Sequence, residues 1–257
     1  MKNVPRFCLL SSLPAVILTL GVLSSLSPAS AAVLVNYTFV SGTNSTAAAD
    51  PNVGASVITS NIGTVGTDSG FSAAGNAFVR ANATQSTQAG AITEADYFEF
   101  TLTPQAGFEV DLTSFSLTVG NQTSTALSFT SSYFVRTSLD GYASNIAITS
   151  TGGTTTSLGG VASRSTTSNS TAVSDSVVFN VAGSQYQNLT TPVTFRIYLY
   201  DTGSGAAPDS SQSISRFDNV QVSGNVSAVP EPDTCLLGLV GGALVLSVRR
   251  KREGGLA

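Results

Sequence analysis

An all-β fold is what this sequence predicts: an antiparallel β-sandwich, jelly-roll-like, flanked by an N-terminal signal helix and a C-terminal transmembrane helix. Three observations carry the expectation. Four segments alternate apolar and polar residues with period two, the mark of half-buried antiparallel strands. No stretch sustains a helical period over three turns. About ten candidate strands in the middle of the chain leave two apolar faces to bury, and sheet on sheet is how such faces are covered.

In chain order, residues 1–32 read as a secretory signal peptide. Lys2 and Arg6 give a basic start, Phe7 to Leu26 the apolar stretch, and Ser27-Pro28-Ala29-Ser30-Ala31-Ala32 a run of small residues with Ala29-x-Ala31 as a cleavage pattern. A retained membrane anchor is the alternative, against which Pro28 and the small residues weigh. Cys8 would leave with the peptide.

Residues 33–228 are one domain's worth of chain, enough to bury roughly 70% of the unfolded surface. The two cysteines of the chain, Cys8 and Cys235, both lie outside this segment. No disulfide can support it, and packing alone must. Twelve acids against five arginines (Arg80, Arg136, Arg164, Arg196, Arg216) give 5 − 12 = −7. That balance argues against a nucleic-acid partner. It also repels an anionic polymer unless a divalent cation bridges the two.

The clearest strands are Val33–Val40, Tyr97–Leu102, Ser114–Val119 and Val193–Tyr200. In the last, Val193, Phe195, Ile197 and Leu199 oppose Thr194, Arg196, Tyr198 and Tyr200. Weaker candidates are Leu127–Phe129, Tyr133–Thr137, Ile146–Thr149, Val177–Val181 and Ile214–Val222. Leu139-Asp140-Gly141-Tyr142 offers a hairpin turn in which Gly supplies positive φ. Residues 41–76 and 150–172, rich in Gly, Ser, Thr and Asn, read as long loops in which a strand can hide, as at Ser56–Ser60 around Ile58.

With no His there is no Ser-His-Asp triad and no His-ligated metal. Glu94, Asp96 and Glu99 cluster before and within a strand, and Glu94 and Asp96 would share a strand face. Two carboxylates at about 5–9 Å suit a glycosidase, although acids at a strand's start are more often simply solvated. Asp201 and Asp209 bracket an oxygen-rich loop, and Asp218-Asn219 offers more oxygen. All four residues are candidate ligands for a structural Ca²⁺, which takes six to eight oxygens, although Asp and Asn bonding their own backbone in turns explains them equally. Tyr198 and Tyr200 fall on the polar side of their strand beside Arg196. That trio is a candidate glycan contact, with tyrosine packing at a sandwich rim as the plainer alternative. Trp, the best stacking platform, is absent. Seven Asn-x-Ser/Thr sites occur, at Asn36, Asn44, Asn82, Asn121, Asn169, Asn188 and Asn225.

The C-terminal region, residues 229–252, has three parts. Val229-Pro230-Glu231-Pro232 excludes regular helix and interior strand. Residues 234–248 carry no charge and read as a transmembrane helix of about 22 Å at about 1.5 Å per residue, short of the ~30 Å hydrocarbon core. Arg249-Arg250-Lys251-Arg252 then serves as a cytoplasmic membrane stop, which places earlier residues outside. Gly238, Gly241 and Gly242 weaken the span further. Residues 253–257 are a tail.

These three parts in this order, paired with a signal peptide, resemble the PEP-CTERM sorting signal. The resemblance covers about 25 residues. It implies that exosortase, a membrane-embedded processing enzyme of exopolysaccharide-making bacteria, recognises Pro230, Glu231 and Pro232. It further implies secretion, transient retention in the inner membrane, cleavage near the motif and release to the cell surface or extracellular matrix. Tyr97-Phe98-Glu99-Phe100, Arg136-Thr137-Ser138-Leu139-Asp140-Gly141, Tyr186-Gln187-Asn188-Leu189 and Phe217-Asp218-Asn219-Val220 are loosely similar to ectodomains of such proteins. That similarity implies a sandwich of carbohydrate-binding-module type and transfers no catalytic residue. Three readings of function stay open: a non-catalytic exported protein with a structural, adhesive or exopolysaccharide-associated role; a secreted glycan-active enzyme using the Glu94/Asp96 region; and a permanently anchored surface protein.

Overall fold

The computed structural model describes residues 31–39, 46–48, 50–66, 76–124, 127–167, 173–204 and 213–229. Residues 1–30 of the signal peptide expected at 1–32, residues 230–257 with the rest of the sorting signal, and Asp209 lie outside the described residues, whereas Ala32, the last residue of that expected peptide, opens the first strand. Fifteen strands are described: β1 (Ala32–Tyr37), β2 (Thr46–Ala48), β3 (Val53–Ala55), β4 (Thr59–Ser60), β5 (Thr64–Gly66), β6 (Asn76–Arg80), β7 (Tyr97–Pro104), β8 (Phe108–Gln122), β9 (Phe129–Thr137), β10 (Ile148–Thr151), β11 (Thr156–Leu158), β12 (Val161–Thr166), β13 (Asp175–Phe179), β14 (Val193–Thr202) and β15 (Ile214–Ala228). One helix, α1 (Gln88–Thr93), precedes β7. None of the described helices is long and apolar enough to cross a membrane.

The strands form two antiparallel sheets. The first runs β10-β13-β8-β15-β1-β2, with β6 on β15 and β5 on β6. The second runs β11-β12-β9-β14-β7-β3, with β4 also on β7. The alternation read from the sequence places the faces correctly. Phe98, Phe100 and Leu102 of β7, Phe115, Leu117 and Val119 of β8, and Val193, Phe195, Ile197 and Leu199 of β14 all point into one core between the sheets. Phe115 of the first sheet lies 5.3 Å from Phe195 and 6.2 Å from Phe100 of the second, all three rings nearly parallel. Phe217 of β15 meets Phe98 edge-on at 4.8 Å. Such ring contacts add about 0.5–1.5 kcal/mol beyond their burial.

Polar groups also tie the sheets. Tyr133 of β9 is fully buried, and its hydroxyl lies 2.8 Å from the Gly120 carbonyl of β8 while the Arg216 N–H of β15 donates to it at 3.1 Å. At one edge Asp175 of β13 accepts from Arg164 Nε of β12 at 3.0 Å, the Thr154 amide at 2.9 Å and the Thr155 hydroxyl at 2.9 Å. The turn that delivers those donors needs Gly153. Its φ is +60°, and a Cβ there would sit 2.0 Å from Asp175 Oδ1.

Several expectations are corrected. The hairpin expected at 139–142 is absent. A single 3₁₀ turn, Ser138–Asp140, carries the chain from β9 in the second sheet to β10 in the first, because β9 pairs with β12 and β14 instead. Gly141 does take positive φ, at +67°. The long loops hold more than one hidden strand each. Residues 41–76 contain β2 to β5 and the start of β6, and 150–172 contain the end of β10 and all of β11 and β12. Those strands are short and mostly polar, so no alternation marks them: β11 is exposed throughout. β8 and β15 are longer than their apolar cores indicate, each running fifteen residues and pairing along most of their length.

Candidate functional site

The outer face of the second sheet gathers the polar-side residues of β7, β9 and β14. Register puts Arg196 beside Glu99 on one neighbour and Arg136 on the other, and Tyr198 beside Tyr97 and Phe134. Arg196 Nε donates to Glu99 Oε2 at 2.9 Å. Its guanidinium carbon stands 4.3 Å from the Tyr97 ring centre and 3.8 Å from that of Tyr142, so the cation is held between two aromatic faces. Tyr142 reaches this position from the 3₁₀ corner, with φ +62°. Its N–H donates to the Thr137 carbonyl at 2.9 Å, and its own carbonyl accepts from Arg136 Nη1 at 2.8 Å.

Next to the cation lies an aromatic island. Tyr198 stacks on Phe134 at 4.9 Å with 7° between planes and meets Tyr97 edge-on at 5.2 Å. Tyr200 lies 6.3 Å from Phe134. Helix α1 packs on this island through Ala91. Thr87 starts the helix: its hydroxyl accepts the Gly90 amide at 3.0 Å. Hydroxyl pairs border the island: Thr101 with Thr194 at 2.8 Å, Ser132 with Ser163 at 3.0 Å and Thr130 with Ser165 at 2.8 Å.

Of the predicted glycan contacts, Arg196 and Tyr200 are partly exposed on this face. Tyr198 corrects the expectation from strand parity, since it is 3% exposed. It does point outward, but Phe134 and α1 cover it. Tyr97, Phe134, Arg136 and Tyr142 belong to the same cluster and were not predicted. Tyr97 had a legible signal, since it shares strand parity with Glu99. Tyr142 had none, because its place depends on how the corner folds.

The acids separate. Glu94 closes the C-terminal end of α1 and is exposed, so it shares no strand face with Asp96. Asp96 is buried, and its Oδ2 accepts the Gln85 amide at 2.9 Å. Burial pushes its carboxyl up, the Gln85 N–H opposes, and nearby Glu94 adds to the rise. Glu99 is engaged by Arg196.

Asp201 points into the core. Its Oδ2 accepts from Thr84 at 2.8 Å, and its Oδ1 lies 2.6 Å from Ser215 Oγ, which is itself 2.6 Å from Ser131 Oγ. Burial raises its carboxyl to about 6, against the hydroxyls that favour the anion. Asp218 pairs in register with outward-facing Thr118, on the opposite side of the first sheet, and binds the Asn219 amide at 2.6 Å. The candidate calcium oxygens therefore do not converge: Asp201 points into the core from β14 of the second sheet, Asp218–Asn219 faces outward from β15 of the first, and Asp209 lies outside the described residues. Among the described residues no three Asp, Glu, His or Cys side chains are grouped to hold a metal. One Asn-x-Ser/Thr site is buried, Asn121 at 1% exposed, while Asn36 and Asn225 stay partly exposed with their Oδ1 atoms shielded.

A search against family models, curated proteins and solved structures finds no match for the chain.

Proposed function

We propose that this is an exported, non-catalytic cell-surface or extracellular-matrix protein with a structural, adhesive or polysaccharide-associated role. Exosortase sorts it through Val229, Pro230, Glu231 and Pro232, the 234–248 helix, and the Arg249, Arg250, Lys251 and Arg252 stop. Its sandwich is jelly-roll-like, with a signal helix before it and a membrane helix after it. The sorting reading is supported by the order of motif, apolar run and basic cluster in the sequence. The observation that carries the polysaccharide-associated role is the Arg196 cation held between Tyr97 and Tyr142 on an outward sheet face. A non-catalytic role is supported by the commitment of Asp96, Glu99 and Asp201 to three separate partners.

Intact-mass measurement of the exported protein tests the sorting. In a host with exosortase, the expected species lacks the signal peptide and the residues after the Pro-Glu-Pro motif. In the same host without exosortase, the tail stays on and the protein stays in washed membranes. Mature protein that keeps residues 234–257 in the exosortase-bearing host sinks the sorting reading.

A further inference from the structure

We propose that the corner at 137–145, together with the Arg196–Glu99 pair, forms a binding site for a neutral pyranose chain with the Tyr142 ring as its stacking platform. The proposal deepens the polysaccharide-associated reading above and rests on it.

Tyr142 is a bulky residue in the left-handed region, which L side chains seldom occupy. Two hydrogen bonds hold its backbone there, one from its N–H to the Thr137 carbonyl and one from the Arg136 guanidinium to its own carbonyl. That posture brings one face of its ring against the Arg196 guanidinium while the side chain stays partly exposed. Strained backbone of this kind is concentrated where a side chain must be presented in a fixed direction. Saccharide sites combine an aromatic face for the C–H side of a pyranose with a few polar groups for its hydroxyls. Both are present. The Arg196 and Glu99 side chains are 25% and 34% exposed and offer donors and an acceptor. The same corner also contributes Asp140, Ser144 and Asn145 to a groove of about 280 Å³ that Gln185 and Tyr186 help to line and Tyr142 does not. Asp140 and Ser144 flank Tyr142 in the same corner, and Asn145 is oriented by Arg136 Nε at 2.9 Å and by Gln88 at 3.2 Å.

Charge selects the ligand class. At the site two cations, Arg196 and Arg136, balance two carboxylates, Glu99 and Asp140, and the surrounding segment 33–228 carries 5 − 12 = −7. A polyuronate meets repulsion there, and a neutral glycan meets none. Tyr198 is excluded as the platform because Phe134 already covers its face.

Native affinity electrophoresis of the exported protein through gels containing a soluble neutral β-glucan, a neutral galactomannan or alginate tests the site. At least one neutral polymer is expected to retard the protein. Tyr142→Ala weakens that binding about tenfold or more, a change of about 1.4 kcal/mol. Tyr142→Phe, which keeps the ring, retains it, and Arg196→Gln weakens it several-fold. Thermal midpoints of the variants, compared with the parent, separate lost binding from lost folding. If a neutral polymer retards a folded Tyr142→Ala variant as strongly as the parent, the site is wrong while the polysaccharide reading survives. Retardation by alginate alone overturns the neutral class. If none of the three polymers retards the parent, both the site and the reading fall.

Discussion

Asp201 and Asp175 are both buried carboxylates, yet their surroundings drive them in opposite directions. Asp201 has hydroxyl partners and no cation bonded to it, and burial lifts it to about 6. Burial also pushes Asp175 up, but Thr155, Arg164 and the Thr154 amide more than offset this and hold it below the usual carboxylate range. The signs follow. A folded value above the unfolded one means that Asp201 favours the fold fully below about pH 4 and loses that contribution as pH rises through about 6. Asp201→Asn is therefore expected to remove a fall in stability between about pH 4 and 7, read from urea midpoints across that range. An unchanged fall in the variant excludes Asp201 as its source. Asp175 acts in the opposite sense: its contribution is present above the ordinary carboxylate range and lost as pH falls through its depressed value. Asp175→Asn is expected to be less stable at pH 7 and to show a flatter acid limb in the same titration. An equally steep limb would assign acid unfolding to other groups.

Among the elements, the short helix α1 is the most revealing. Six residues cannot hold a helix in water, so its stability comes from the Thr87 cap and from Ala91 packed on Phe134 and Tyr198. Thr87→Ala is expected to cost about 1 kcal/mol and to speed amide exchange in α1 well before the sheets open. Uniform protection across α1 in the variant would show that the cap is irrelevant. The Gly153 turn is the matching case at a sheet edge. Gly153→Ala pushes a Cβ into Asp175 at positive φ, so a loss of about 1–3 kcal/mol is expected. Asp175→Asn combined with Gly153→Ala should then cost less than the sum of the two, since both act on one contact. Neither element left a readable trace in the sequence. α1 is shorter than the window in which helical periodicity can be recognised, and a Gly-Gly pair inside a polar run does not say which acid it makes room for.

At the scale of the whole molecule, stability rests on one continuous core shared by both sheets. Phe115 is its keystone, touching Phe100, Phe195 and Phe179 across and along the interface. Phe115→Ala is expected to cost about 3–5 kcal/mol, the range for a buried ring replaced by a cavity. Urea unfolding checks it: the midpoint should fall at unchanged slope, and both sheets should unfold together. Separate transitions for the two sheets would contradict a single core. This segment has no disulfide to share the load, so ring packing and buried polar links such as Tyr133 to Gly120 carry what a cross-link would otherwise supply.

Alternation along Tyr97–Leu102, Ser114–Val119 and Val193–Tyr200 was enough to determine the all-β class and which side chains enter the core, because a strand's period of two is a property of the local chain. Local order could also place Arg196, Tyr198 and Tyr200 on one outward face. It could not say that Phe134 and α1 cover Tyr198, that Tyr142 closes over Arg196, or that Asp201 turns inward to Ser215 while Asp218 turns away. Those facts depend on which strands become neighbours and on how a corner crosses between sheets. Pairing of that kind joins residues scores of positions apart, and only the assembled sandwich brings them within reach.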